Sequence, residues 1–133
     1  FQDIDAGGWT LRLAGVDDRE GTNVGALVLA DENAVLPLPG AFNGYTILLK
    51  HQPRIDPNSL GRFDLQLSGH THGGQLFPFH LPVMIRYKYF RGLYRLADEA
   101  RLYVSRGTGT WGPPLRLLAP REITVIYLEP QPR

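Results

Sequence analysis

At 133 residues with a formal net charge of +1, the chain is one domain long, and its overall balance demands neither nucleic acid nor an anionic membrane as partner. It has no cysteine, which excludes disulfides, thiolate zinc sites and cysteine nucleophiles, so any metal must rest on nitrogen and oxygen. No apolar run reaches the roughly 18 residues that span a bilayer and nothing at the start resembles a signal peptide, so the chain as it stands reads as soluble.

The sequence opens at Phe1 and its one methionine is Met84, which reads as a processed product or a piece of something longer. With 15 glycines and 11 prolines, long helices have little room and short strands are the natural filling. Residues 9–16 alternate large apolar with small or polar side chains and predict a half-buried strand. Asp17 and Asp18 stop it; a supporting role behind a site is the alternative reading. Residues 23–30 suggest a short helix capped by Thr22 or Asn23. Tyr45-Thr46-Ile47-Leu48-Leu49 predicts a buried strand that empties into Lys50-His51-Gln52-Pro53 and places His51 at its end.

Residues 53–60 form a polar, proline-broken connection with room for a turn of helix. Phe63-Asp64-Leu65-Gln66-Leu67 predicts the strand that delivers Gly69 and His70. Residues 101–105 and 122–128 predict the last two strands, the second rich in β-branched and aromatic types, with Pro130 and Pro132 ending it. Neither a repeat nor an interdomain linker is visible. The result is a β-rich α/β unit whose loops gather histidines and glycines.

Three of the four histidines follow predicted strands, where α/β folds tend to collect function. In an extended segment residues i and i+2 point to one side, so His70 and His72 are expected to present both imidazoles to one cavity, with His51 joining from a neighbouring strand end. Gly69, Gly73 and Gly74 suit a tight turn that a ligand approaches closely. A His-x-His pair also arises by chance and then does little beyond adventitious metal binding. Here the flanking glycines, the preceding strand and the upstream histidine agree with one another.

The heptapeptide Gly69-His70-Thr71-His72-Gly73-Gly74-Gln75 resembles the closing motif of the calcineurin-like metallophosphoesterases, in the bacterial, often membrane-associated branch where an apolar and proline stretch follows it. Leu76-Phe77-Pro78 fits that stretch. Residues 14–18, 47–53, 102–109 and 120–124 resemble the same branch in order, so the likeness covers nearly the whole chain.

The resemblance implies the C-terminal half of a four-layer αββα sandwich spanning residues 1–133. His51 and His70 would bind one divalent ion and His72 another, with the pair about 3.5 Å apart, activating water and polarising phosphoryl oxygens. Manganese, iron or zinc would suit such ligands. Neutral imidazoles do not offset that charge, so anionic oxygen ligands are needed. The family's Asp-x-His, Gly-Asp and Gly-Asn-His motifs do not occur here: Asp3-Ile4-Asp5 lacks the histidine and Asn43 is followed by glycine. The expectation is a phosphoester hydrolase whose N-terminal half is absent, membrane-associated when whole. The piece in hand would be inactive alone, would hold metal weakly or not at all, and would self-associate through exposed apolar surface.

Arg106 and Thr108, in a glycine-rich segment, are weaker candidates for contact with a phosphate. A turn-rich connection explains them equally. Arg86-Tyr87-Lys88-Tyr89-Phe90-Arg91 interleaves cations with aromatics, so a non-catalytic module for nucleic acid or lipid headgroups is the alternative function. A structural reading, aromatics inward and charges solvated, is favoured there, and no nucleic acid is expected. A degenerate phosphoesterase kept as a scaffold is a third possibility. His80 lacks ligand-like spacing and reads as structural or surface.

Overall fold

The computed structural model describes residues 1–18, 20, 21, 25 and 31–129. The expected helix over 23–30 lies outside these described residues, Gly25 aside.

A mixed six-stranded sheet organises the chain: β1 (Gln2–Asp5), β2 (Thr10–Gly15), β3 (Tyr45–Leu49), β4 (Leu65–Ser68), β5 (Gly92–Arg95) and β6 (Arg101–Val104). The order across the sheet is β1-β2-β3-β4-β6-β5. The inner four strands run parallel, and antiparallel β1 and β5 close the edges. Helix α1 (Glu32–Val35) precedes β3, and helix α2 (His80–Arg86) lies between β4 and β5.

Register decides which side chains share a face. Ala14, Leu48, Gln66 and Leu102 are aligned neighbours on β2, β3, β4 and β6, and each is 0% exposed. Val35, Leu36, Phe63 and Ala100 join Ala14 and Leu48 in the core on that side. Arg62 ties α1 down, donating to the carbonyls of Leu36 and Pro37 and to Asn33 Oδ1. The next aligned row, Gly15, Leu49, Leu67 and Tyr103, points to the opposite face and holds no buried residue; Leu49 is 43% exposed. Parallel strands normally bury both faces. Here one face is covered, while the other buries only Ile47 and Leu65, two residues back along β3 and β4, and is open elsewhere.

The α/β expectation is met by this sheet and its few helices, and the strands expected over 9–16, 45–49, 63–67 and 101–105 form within a residue or two of those bounds. A 3-10 turn at Pro57–Ser59 occupies the proline-broken connection. The strand expected at 122–128 does not form: these residues join no ladder, and Ile123, Val125 and Tyr127 are 85%, 68% and 85% exposed. β-branched residues make a strand only where a neighbouring strand receives them, and none does so here.

Candidate metal centre

The parallel strands deliver their C-terminal ends, and the loops that follow, to one edge of the sheet. The loop after β2 carries Asp18, the loop after β3 carries His51 and the turn after β4 carries His70 and His72. The last two loops are stitched together, Lys50 N–H donating to Leu67 O (3.1 Å) and Gly69 N–H to His51 O (3.0 Å).

The histidine turn is not the extended segment that its spacing predicted. β4 ends at Ser68, His70 and His72 take φ of 68° and 50°, and a 3-10 turn follows at His72–Gly74. Such conformations cost of order 1–3 kcal/mol each for ordinary residues and persist only where the surroundings enforce them. Two buried side chains do so. Thr71 Oγ1 donates to Phe90 O (2.8 Å). The Gln75 amide donates to Trp111 O (2.7 Å) and Pro113 O (3.2 Å) and accepts from Trp111 N–H, pinning the turn to the segment at 111–117. At Gly74, with φ of 80°, a Cβ would lie 2.3 Å from His80 Cβ, so only glycine fits. His80 opens α2, stacks on Phe77 and takes no part in the cluster.

The turn brings His70 Nδ1 to 3.0 Å from His51 Nε2, with the rings perpendicular. Asp18 Oδ2 stands 3.8 Å from the same His51 nitrogen, and Gln52 Nε2 donates to Asp18 Oδ1 at 2.9 Å. One donor atom from each of Asp18, His51 and His70 lies within 4.8 Å of the other two. Nitrogens bound to one ion at about 2.0–2.1 Å stand roughly 2.9–3.4 Å apart, so the His51–His70 spacing and the added carboxylate fit a divalent cation. On the far edge of its ring, His70 Nε2 meets the Tyr87 hydroxyl at 2.6 Å.

His72 stands apart from this cluster. Its Nδ1 is 3.3 Å from Arg116 Nη2, and Arg116 also donates to the carbonyls of Arg106, Gly109 and Ala119. With a guanidinium donating to Nδ1, the ring proton of a neutral His72 sits on Nε2, so ligation through Nε2 requires that contact to open. Burial lowers the pKa of both His70 and His72; next come the His51 ring for the first and the Arg116 cation for the second. Both shifts favour the neutral imidazole that a metal takes.

His51, His70 and His72 line a common cavity of about 600 Å³, whose walls include Leu76, Phe79, Val83, Tyr87 and Trp111. On the other side of His51 lies a second cavity of about 300 Å³, bordered by Asp17, Asp18, Glu20, Asp31, Glu32 and Asp56, with Lys50 and Arg54 the cations among them. Arg106 and Thr108 line neither cavity: Arg106 Nε is 2.5 Å from Glu122 Oε2, and Thr108 is exposed. Sequence reasoning took Asp18 for a strand terminator or supporting group and did not single out Tyr87, Gln75 or Arg116 for these contacts. An acidic pair after a strand was the one local signal available; the others converge only through space.

Among curated proteins the chain is 41% identical over 129 residues to an uncharacterized metallophosphoesterase of Campylobacter jejuni, covering 96% of this chain and 33% of that protein. It is 42% identical over 120 residues to an uncharacterized metallophosphoesterase of Aquifex aeolicus, covering 90% of this chain and 46% of that one. A zebrafish (Danio rerio) relative named transmembrane protein with metallophosphoesterase domain is 39% identical over 125 residues, covering 88% of this chain and 28% of its own length. No family model and no solved structure matches. The chain belongs to the calcineurin-like metallophosphoesterases. It spans between about a quarter and a half of the length of these relatives. Among the described residues no helix is long and apolar enough to cross a membrane.

Proposed function

We propose that the protein at its natural length hydrolyses phosphoesters at a dinuclear metal centre, and that this chain contributes His51 and His70 to one ion and His72 to the other. The observation that carries the reading is the 3.0 Å approach of His51 Nε2 to His70 Nδ1 with the Asp18 carboxylate beside them. Asp18 faces the nitrogen that His51 turns toward His70, so it serves as an oxygen ligand in the same place and not as a prop behind the ring. Bound there, divalent ions such as manganese, iron or zinc would polarise the phosphoryl group and supply a nucleophile at neutral pH.

The chain's own residues hold and shape the site. Tyr87 fixes the His70 ring from behind, Gln75 holds the 111–117 segment against the turn, and the apolar wall of the cavity accepts the part of the ester beyond the phosphate. Arg106 and Thr108 would reach a phosphate only once Arg106 is released from Glu122. The chain then corresponds to the C-terminal half of a four-layer αββα domain. The open sheet face and the unpaired 122–128 strip support that reading as surfaces for the remaining half, which brings the bridging carboxylate.

The test is turnover of aryl phosphate esters by the natural-length protein with added Mn²⁺ or Zn²⁺, alongside metal counting. His51→Ala and His70→Ala should each lower kcat by about 100-fold or more and lose one ion, and His72→Ala should lose the other. Undiminished turnover after chelation, or in His70→Ala, would overturn the proposal.

A further inference from the structure

Helix α2 is apolar on two sides and buries neither. Phe79, Val83 and Tyr87, four residues apart, turn toward the histidine cavity. Leu81, Met84 and Ile85, at the spacing i, i+3, i+4, form a second stripe on another side of the helix and are 53%, 50% and 87% exposed. No residue of the helix is buried. A helix with apolar residues all round belongs in a core or in lipid, and this one lies on the surface.

The charge around the helix indicates which medium receives it. Between Asp64 and Asp98 the sequence contains no carboxylate, while Arg86, Lys88 and Arg91 follow the stripe directly. All three cations are exposed, and among the described residues none makes an ion pair. Instead they lie over neighbouring rings: Arg86 on Tyr87, Lys88 on Tyr89 and Arg91 on Phe90. An exposed aliphatic stripe followed by exposed cations without an ion pair has the composition of a bilayer interface. Nucleic acid would stack on aromatic rings and would leave Leu81, Met84 and Ile85 without partners. A second exposed apolar strip, Ile123, Val125 and Tyr127, is flanked by one cation, Arg121, and two carboxylates, Glu122 and Glu129, and suits a protein surface.

We propose that the outer stripe of α2, with Arg86, Lys88 and Arg91, docks on an anionic phospholipid surface, Leu81, Met84 and Ile85 entering the boundary between headgroups and acyl chains. This does not rest on the phosphoester reading. It is a contact additional to any membrane-spanning segment.

The experiment labels Ile85→Cys in the natural-length protein, its other cysteines replaced, with an environment-sensitive nitrobenzoxadiazole dye, and Met84→Cys as a second site. Vesicles containing phosphatidylglycerol should shift emission to the blue, and spin-labelled lipid should quench it. Pure phosphatidylcholine should give little change, and a label at Leu38→Cys, 72% exposed and remote in sequence, none. Partitioning should weaken about five-fold for each of Arg86, Lys88 or Arg91 changed to glutamine. Absence of a shift at both sites overturns the proposal. So does a dye already blue-shifted without vesicles, which would mean that another part of the protein covers the stripe, and so does a response to single-stranded oligonucleotide in place of vesicles.

Discussion

The Tyr87 hydroxyl lies 2.6 Å from His70 Nε2, on the opposite edge of the imidazole from the Nδ1 that faces His51. If Nδ1 gives its lone pair to a metal, the ring proton sits on Nε2 and Tyr87 accepts it. Partners of this kind fix tautomer and ring orientation, and their loss typically costs 10–100-fold in metal affinity or activity. Tyr87→Phe should therefore weaken Mn²⁺ or Zn²⁺ binding about ten-fold in calorimetry of the natural-length protein while leaving its melting temperature nearly unchanged. Wild-type affinity in that variant would remove Tyr87 from the site.

Gly74→Ala should destabilise the fold by roughly 2–4 kcal/mol, because the new Cβ meets the His80 Cα and Cβ at 2.5 and 2.3 Å at a residue whose φ is 80°. Gly109→Ala, with nothing within 4 Å and an ordinary φ, is the control and should change stability by less than about 0.5 kcal/mol. Urea unfolding of the two variants gives the comparison, and similar midpoints would contradict the packing described at α2.

Glu122 makes the loop after β6 sensitive to acid. Burial acts to raise its pKa, but hydrogen bonds from Tyr103, Thr124 and Arg106 outweigh burial and leave it below the ordinary value of 4.5. Since the unfolded carboxylate takes up its proton at the higher pH, the stabilisation is complete above about pH 4.5 and is lost as pH falls through the lower folded value. Melting curves between pH 6 and 3 should fall more steeply for wild type than for Glu122→Gln. Parallel curves would show that the network contributes nothing to folding.

In isolation the 133-residue chain should turn over no aryl phosphate even with metal present, and should self-associate through its open sheet face and the 122–128 strip. Concentration-dependent light scattering that falls in Val125→Lys is the expected result. Steady turnover by pure material would contradict the first expectation, and a stable monomer over a wide concentration range the second.

Strands β2, β3, β4 and β6 were legible because alternation or a compact apolar run marks a strand with a buried face. β1 was not: Gln2–Asp5 is exposed along its whole length, so no burial shaped its pattern. α2 was hidden because Pro82 reads as a break in sequence, although it sits in the first turn where proline is tolerated, and because Leu81, Met84 and Ile85 face outward, opposite to what a core helix shows. Residues 122–128 carry strand propensity without a partner strand to realise it. At the site, the motif exposed the histidines, while Asp18 and Tyr87 reach them across 33 and 17 residues of chain, respectively, and Arg116 reaches His72 across 44. Contacts of that range leave no local signature.

The two cavities that meet at His51 give the molecule an electrical polarity. On one side stand the carboxylates from Asp17 to Asp56; on the other runs the stretch from Leu65 to Ala97, which has no acidic residue. Fields of opposite sign concentrate opposite ions, and they do so less as salt rises. A divalent cation is drawn in from the acidic side, whereas an anion meets no carboxylate in the lining of the other cavity, so ions of opposite charge reach His51 from different directions without competing for the same path. Capture rates for both should fall as ionic strength increases.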